Sequence, residues 1–145
     1  MKLPFRLIGL LVGLISLAAL ADDGILRADE ALVAAQRGEI VIIDVRTPAE
    51  WRATGIPEGA KTADFSTPAL VMGFVATVTN VVHSELTLPV ALICRSGNRS
   101  TKARDVLVAN GFTAVFNIKE GMSGSSYGPG WLARRLPVTD CSDCQ

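Results

Sequence analysis

One cysteine of this sequence sits where sulfur chemistry is possible. Cys94 ends the apolar run Val90–Cys94 and is followed by Arg95-Ser96-Gly97-Asn98-Arg99-Ser100. A short polar loop that leads from a strand into a helix turns several backbone N–H groups inward, and the helix dipole adds positive potential. Gly97 lets the backbone curl without a Cβ in the way. Arg95 and Arg99 add fixed positive charge. The segment Arg95, Ser96, Gly97, Asn98, Arg99 and Ser100 is therefore an anion cradle with a thiol at its mouth. A cysteine in such a setting is expected to be held largely as thiolate, a nucleophile that attacks an anionic substrate or carries an anionic adduct. A lone buried cysteine is more often structural; the glycine, the two arginines and the polar loop set this one apart.

The elements around it must supply the strand, the loop and the helix. Ile40–Val45 and Val90–Cys94 are continuous apolar runs, as expected of strands buried on both faces in a parallel sheet. Ala114–Ile118 reads as a third strand. Between them lie segments with helical spacing. Ala28, Ala31, Leu32 and Ala35 form one, with Gly38 as a stop, and Pro48–Thr54 is a second, opened by proline and closed before Gly55. Val71, Phe74, Val75, Val78 and Val82 make a third, after Thr67-Pro68. A fourth is expected to be capped by Ser100 and to carry Ala103, Val106 and Leu107 on one side. Strands alternating with helices predict an α/β fold in three layers, a central mainly parallel sheet flanked by helices. Asp44 and Arg46 fall at the end of the first strand, beside the site; their expected role is supporting, with Arg46 reaching Glu50.

Composition narrows the function. The chain has 145 residues, 14 Lys+Arg, 14 Asp+Glu, 49% hydrophobic residues, three cysteines and one histidine. It is too apolar for disorder, too poor in cysteine for a disulfide scaffold and too neutral for a nucleic-acid binder. No cofactor is implied. Zinc needs about four ligands, so neither the single histidine His83 nor the Cys141-Ser142-Asp143-Cys144 pair implies a metal site. Residues 1–21 read as a signal peptide: Lys2 and Arg6 precede the apolar stretch Leu7–Leu20, and Ala19-Leu20-Ala21 offers small residues at the exit. As a helix this stretch spans about 21 Å, short of a roughly 30 Å hydrocarbon core, so no stable membrane insertion is expected after cleavage. The expected organisation is a signal peptide at 1–21, one domain at 22–138 and a tail at 139–145 with the C-x-x-C pair. The expected location is outside the cytoplasm, in the periplasm if the source is Gram-negative. There Cys141 and Cys144 can form a local disulfide, or act as a redox pair that resolves or accepts sulfur from Cys94.

Five pieces of the sequence occur together in one known family: Ile42–Glu50 (IIDVRTPAE), Gly55–Ala60 (GIPEGA), Cys94–Ser100 (CRSGNRS), Asn110 through Gly121, and Trp131 to Val138. In this the chain resembles the rhodanese-like sulfurtransferases, over roughly Ile25–Val138. The Cys94–Ser100 segment is the most specific match and Asp44-Val45-Arg46 the next. The resemblance implies an active-site cysteine that carries a persulfide, and one module rather than a tandem pair. It implies sulfur transfer from a small sulfur-containing anion such as thiosulfate to cyanide or a thiol, a redox protein included. The turn Gly55–Ala60 lacks the histidine common in the family, so no catalytic role carries over to it, and Met122 stands where a second glycine is common. Two alternatives remain open at this level. One is a non-catalytic persulfide carrier or binding module. The other is a cysteine phosphatase or arsenate reductase, disfavoured because Cys94 and Arg99 are spaced C-x4-R where phosphatases use C-x5-R.

Overall fold

In the computed structural model described here, residues 23–145 are defined; the expected signal peptide lies outside them. Among the described residues, four helices and six strands follow in order: α1 (Ala28–Gln36), β1 (Val41–Asp44), α2 (Pro48–Thr54), β2 (Ile56–Pro57), β3 (Lys61–Thr62), α3 (Val71–Val81), β4 (Val90–Ile93), α4 (Asn98–Ala109), β5 (Val115–Asn117) and β6 (Val138–Thr139). A 3-10 turn at Pro68–Leu70 leads into α3. Strands β3, β1, β4 and β5 form one parallel sheet in that order. A small antiparallel pair joins β2 to β6.

The two central strands are buried along nearly their whole length, which is why they read as unbroken apolar runs. Their side chains alternate between two cores. Ile43, Val45, Val90, Leu92 and Cys94 face Phe74, Val78 and Leu107 of α3 and α4. Ile42, Ala91 and Ile93 face Ala31 and Leu32 of α1, with Ile118, Met122 and Trp131. Helices thus cover both faces of a parallel sheet, the α/β architecture read from the sequence.

Strand order decides where the site can be. After β1 the chain moves outward to β3, and after β4 it moves the other way to β5. The loops leaving β1 and β4 therefore part from each other, and a crevice opens above their carboxyl ends. Asp44 and Ile93 are register partners at those ends. Asp44-Val45-Arg46 and the Cys94 loop are side by side for this reason.

Two local expectations change. Helix α4 starts at Asn98, not after Ser100, and its N-cap is Gly97 in the left-handed region at φ 92°. Glycine reaches that conformation without steric cost, so the helix begins three residues earlier and Ser100 turns inward instead of capping. The last residues also fold back onto the domain rather than trailing from it. Ile56 pairs with Thr139 and Pro57 with Val138, and Cys141 is buried against Trp51 and Ile56.

Candidate active site

Cys94 lies at the carboxyl end of β4, 1% exposed. Its Sγ accepts a hydrogen bond from the Gly97 N–H at 3.1 Å and lies 3.3 Å from the Ser100 Oγ. The backbone N–H groups of Asn98, Arg99 and Ser100 are in the first turn of α4, where no intrahelical carbonyl can receive them. The loop thus curls around the sulfur with N–H donors and the positive end of a helix directed at it. Cys94, Gly97 and Ser100 of the predicted cradle meet at one point. Arg95, Ser96 and Asn98 lie exposed on its rim.

A second segment braces the cradle from behind. The Met122 N–H donates to the Cys94 carbonyl and the Ser123 N–H to the Arg95 carbonyl, both at 2.9 Å. The contact is close: a Cβ on Gly97 would collide with the Lys119 carbonyl, and one on Gly121 with the Arg95 carbonyl. Glycine at both places lets two backbones pack against each other beneath the thiol. The brace is anchored in turn by Glu120, 1% exposed, which accepts from the Ala28 N–H at 2.7 Å and the Gly130 N–H at 2.8 Å and pairs with Arg134.

The charged residues around the site are sorted differently from the expectation. Arg46 does not form an ion pair with Glu50. It is buried against Asp44, with Nη2 at 2.7 Å from Oδ2 and Nε at 3.0 Å from Oδ1. Its remaining donors reach the Thr54 Oγ1 at 2.9 Å and the Gly55 carbonyl at 2.8 Å. Asp44 is two residues away and wholly buried, so pairing there neutralises a charge that has no access to water. Arg46 therefore ties the end of β1 to the end of α2.

Glu50 is instead the partner of Arg99. Nη2 and Nη1 of Arg99 donate to Oε1 and Oε2 at 2.6 and 2.8 Å, a two-pronged pair that fixes the guanidinium plane. Glu50 also accepts from the Thr47 N–H at 2.9 Å, while its own N–H donates to the Thr47 Oγ1. Sequence reasoning missed this role. The signal was present as Thr47-Pro48-Ala49-Glu50, a capping box that puts a glutamate at a fixed place in the first turn of a helix.

The Arg99 hydrogen bonds hold the Glu50 carboxyl down at about 2, against the opposing effect of its partial burial. A depressed carboxylate contributes stability above its unfolded value near 4.5 and loses it as pH falls toward 2. The stability difference between the protein and its Glu50→Gln variant is therefore expected to be complete at about pH 6 and to be mostly lost by about pH 2. Urea unfolding at a series of pH values measures it, and a difference that stays constant across that range contradicts the pairing. The size will be modest because both side chains are partly solvated.

Beside the cradle is an open cleft of about 260 Å³, bounded by Phe65, Thr67, Pro68, Val71, Arg99 and Lys102. One wall is apolar and the other carries two cations from the first turns of α4. The remaining candidates lie elsewhere. His83 is exposed after the end of α3. Cys141 and Cys144 are joined as a disulfide against Trp51 of α2, and Cys94 is the free cysteine.

Fold and site together define a class: a parallel α/β domain with a cysteine at the floor of a backbone cradle. The sequence profile of the rhodanese-like domain matches residues 27–126, and the chain belongs to that family. A curated relative, an uncharacterized protein of Rickettsia prowazekii, is 29% identical over 98 residues, which span 66% of this chain and 80% of the relative. The crystal structure of Rv0390 from M. tuberculosis superposes with a TM-score of 0.64 at 28% identity, covering 81% of this chain and 97% of that one. The polysulfide-sulfur transferase homodimer of Wolinella succinogenes superposes with a TM-score of 0.58 at 27% identity, covering 88% and 86%.

Proposed function

We propose that this protein is an exported sulfurtransferase that moves sulfane sulfur through a persulfide on Cys94. The observation that carries this reading is the Gly97 N–H aimed at the Cys94 sulfur, at the start of a helix whose first N–H groups are free to hold an anion. In the first half-reaction the Cys94 thiolate attacks the outer sulfur of thiosulfate. A new S–S bond forms, the old S–S bond breaks, and its electron pair leaves with sulfite. In the second, cyanide or a thiolate attacks the outer sulfur of the persulfide, and the electron pair returns to Cys94 as thiolate. Arg99 and the exposed Arg95 are the cations that meet the donor anion.

The Wolinella relative supports sulfur transfer as the activity, and its name adds polysulfide to the donors worth trying. The export pattern at residues 1–21 supports a periplasmic setting if the source is Gram-negative. There thiosulfate, polysulfide and small thiols are the chemically reasonable partners.

The test compares two reactions on the mature protein. Thiosulfate with cyanide is expected to give thiocyanate over many turnovers, and an aryl phosphate to give no release above background. One sulfur gained per protein without turnover would favour the carrier reading. Steady phosphate release with no sulfur on Cys94 would overturn the proposal.

A further inference from the structure

Three consecutive residues of α2 connect the two cysteine centres. Glu50 holds Arg99 beside the Cys94 cradle at 2.6 and 2.8 Å. Trp51, 2% exposed, packs against Cys141 and Ile56, with Cys144 and Ala60 at the edge of that cluster. Arg52 donates to the Cys144 carbonyl at 2.7 Å. Helix α2 has seven residues, and Trp51 is its one buried side chain. Two turns of helix are marginal without tertiary packing, so the position of α2 depends on the Arg46 links at its end and on what covers Trp51. Part of that cover is the disulfide.

The bond is poorly placed to act as an ordinary staple. Cys141 and Cys144 are three residues apart, and closing so small a loop constrains the unfolded chain least. Its consequence is local. It shapes the end of the tail into a compact apolar knob under Trp51, while the β2–β6 pairing and the Glu58 N–H on the Pro137 carbonyl bring the tail there.

We propose that the Cys141–Cys144 disulfide is a redox latch on α2, and that Glu50 is the positioning residue through which it sets Arg99. Closed, the latch keeps Trp51 covered and the Glu50–Arg99 pair fixed at the mouth of the cradle. A dithiol opens it. One thiolate attacks the half-buried Cys144 sulfur, which forms a mixed disulfide and expels Cys141 as thiolate. The second thiol of the reagent then closes its own disulfide and releases Cys144 as a thiol. Two electrons pass from the dithiol to the protein, and each thiolate takes its proton from water or from the reagent. Open, the tail no longer packs as a knob, α2 loosens, and Arg99 loses its fixed place. An anionic donor then binds more weakly, while the sulfur chemistry on Cys94 is unchanged.

The kinetic half of this inference rests on the proposed sulfur transfer, so the test adds a readout that does not. Cys94 is alkylated with anionic iodoacetate and with neutral iodoacetamide, and the ratio of the two rates reports positive potential at the sulfur. In the Cys141→Ser/Cys144→Ser protein the ratio is expected to fall, and KM for thiosulfate to rise, each by at least about fivefold, with kcat within about twofold. Glu50→Asp, which keeps the charge but shortens the reach to Arg99, should do the same, and combining it with the cysteine pair should add nothing. Wild type with its disulfide opened by a dithiol provides the same comparison without mutation, with Cys94 followed peptide by peptide after a melting curve has shown the native transition. An unchanged ratio in a folded, latch-open protein overturns the latch, as do additive effects of Glu50→Asp and the cysteine pair. If no form transfers sulfur, the proposed function fails and the alkylation ratio still decides the latch.

Discussion

Cys94→Ser is expected to lose sulfur transfer by about 10³-fold or more while keeping its fold. A serine hydroxyl is a weak nucleophile at neutral pH and forms no persulfide. The replacement hydroxyl can still accept the Gly97 N–H and meet the Ser100 Oγ, the two partners of the native sulfur. Its burial therefore leaves no orphaned polar group, and the loss of stability should stay within about 1.5 kcal/mol. Two measurements check this. Intact mass after thiosulfate should show a gain of about 32 Da, one sulfur atom, in wild type and none in the variant. Thermal melting should show similar cooperative transitions. Transfer at the native rate through Cys141 or Cys144 would move the site away from Cys94.

Arg46→Met is expected to produce the largest loss of stability. The guanidinium is 2% exposed and Asp44 is 0% exposed. Removing the cation strands a carboxylate in the sheet and also removes the Arg46 hydrogen bonds to the Thr54 hydroxyl and the Gly55 carbonyl. Breaking a buried pair from one side costs about 3–5 kcal/mol, which lowers the melting temperature by about 10–20 °C for a domain of this size. The pair itself is a weaker source of stability than this suggests, because most of the loss is the penalty of the charge left behind. Asp44→Leu with Arg46→Met should therefore recover a good part of the melting temperature. A double variant no better than Arg46→Met alone would show instead that the links to Thr54 and Gly55 dominate.

Much of the local chemistry was visible in the residue order. Continuous apolar runs mark β1 and β4 because a strand covered on both faces needs no alternation. Cys94 followed by a glycine and two arginines marks the cradle because backbone curvature and positive charge are local properties. The start of α4 was read three residues late, since Gly97 rather than Ser100 provides the change of backbone direction. The role of Ser100 changed with it, from a cap to a partner of the sulfur. The contribution of Gly121 had no local signal. What it makes room for is the Arg95 carbonyl, which the brace meets only after the sheet has formed.

The sequence by itself determined the α/β class of the fold, the place of Cys94 at the end of β4 and the polar loop that follows it, since apolar runs, loop composition and glycine placement are local properties. Tertiary structure alone decided the partners of the charged groups. Arg46 could reach Asp44 or Glu50 by sequence distance, and burial of Asp44 selected the first. Glu50 then met Arg99, 49 residues away, because the switch in strand order sets the loops after β1 and β4 at the two sides of one crevice. The tail disulfide found its place under Trp51 by the same kind of long-range closure. Charge pairing across such distances follows from how the chain is wound, and residue order does not display that winding.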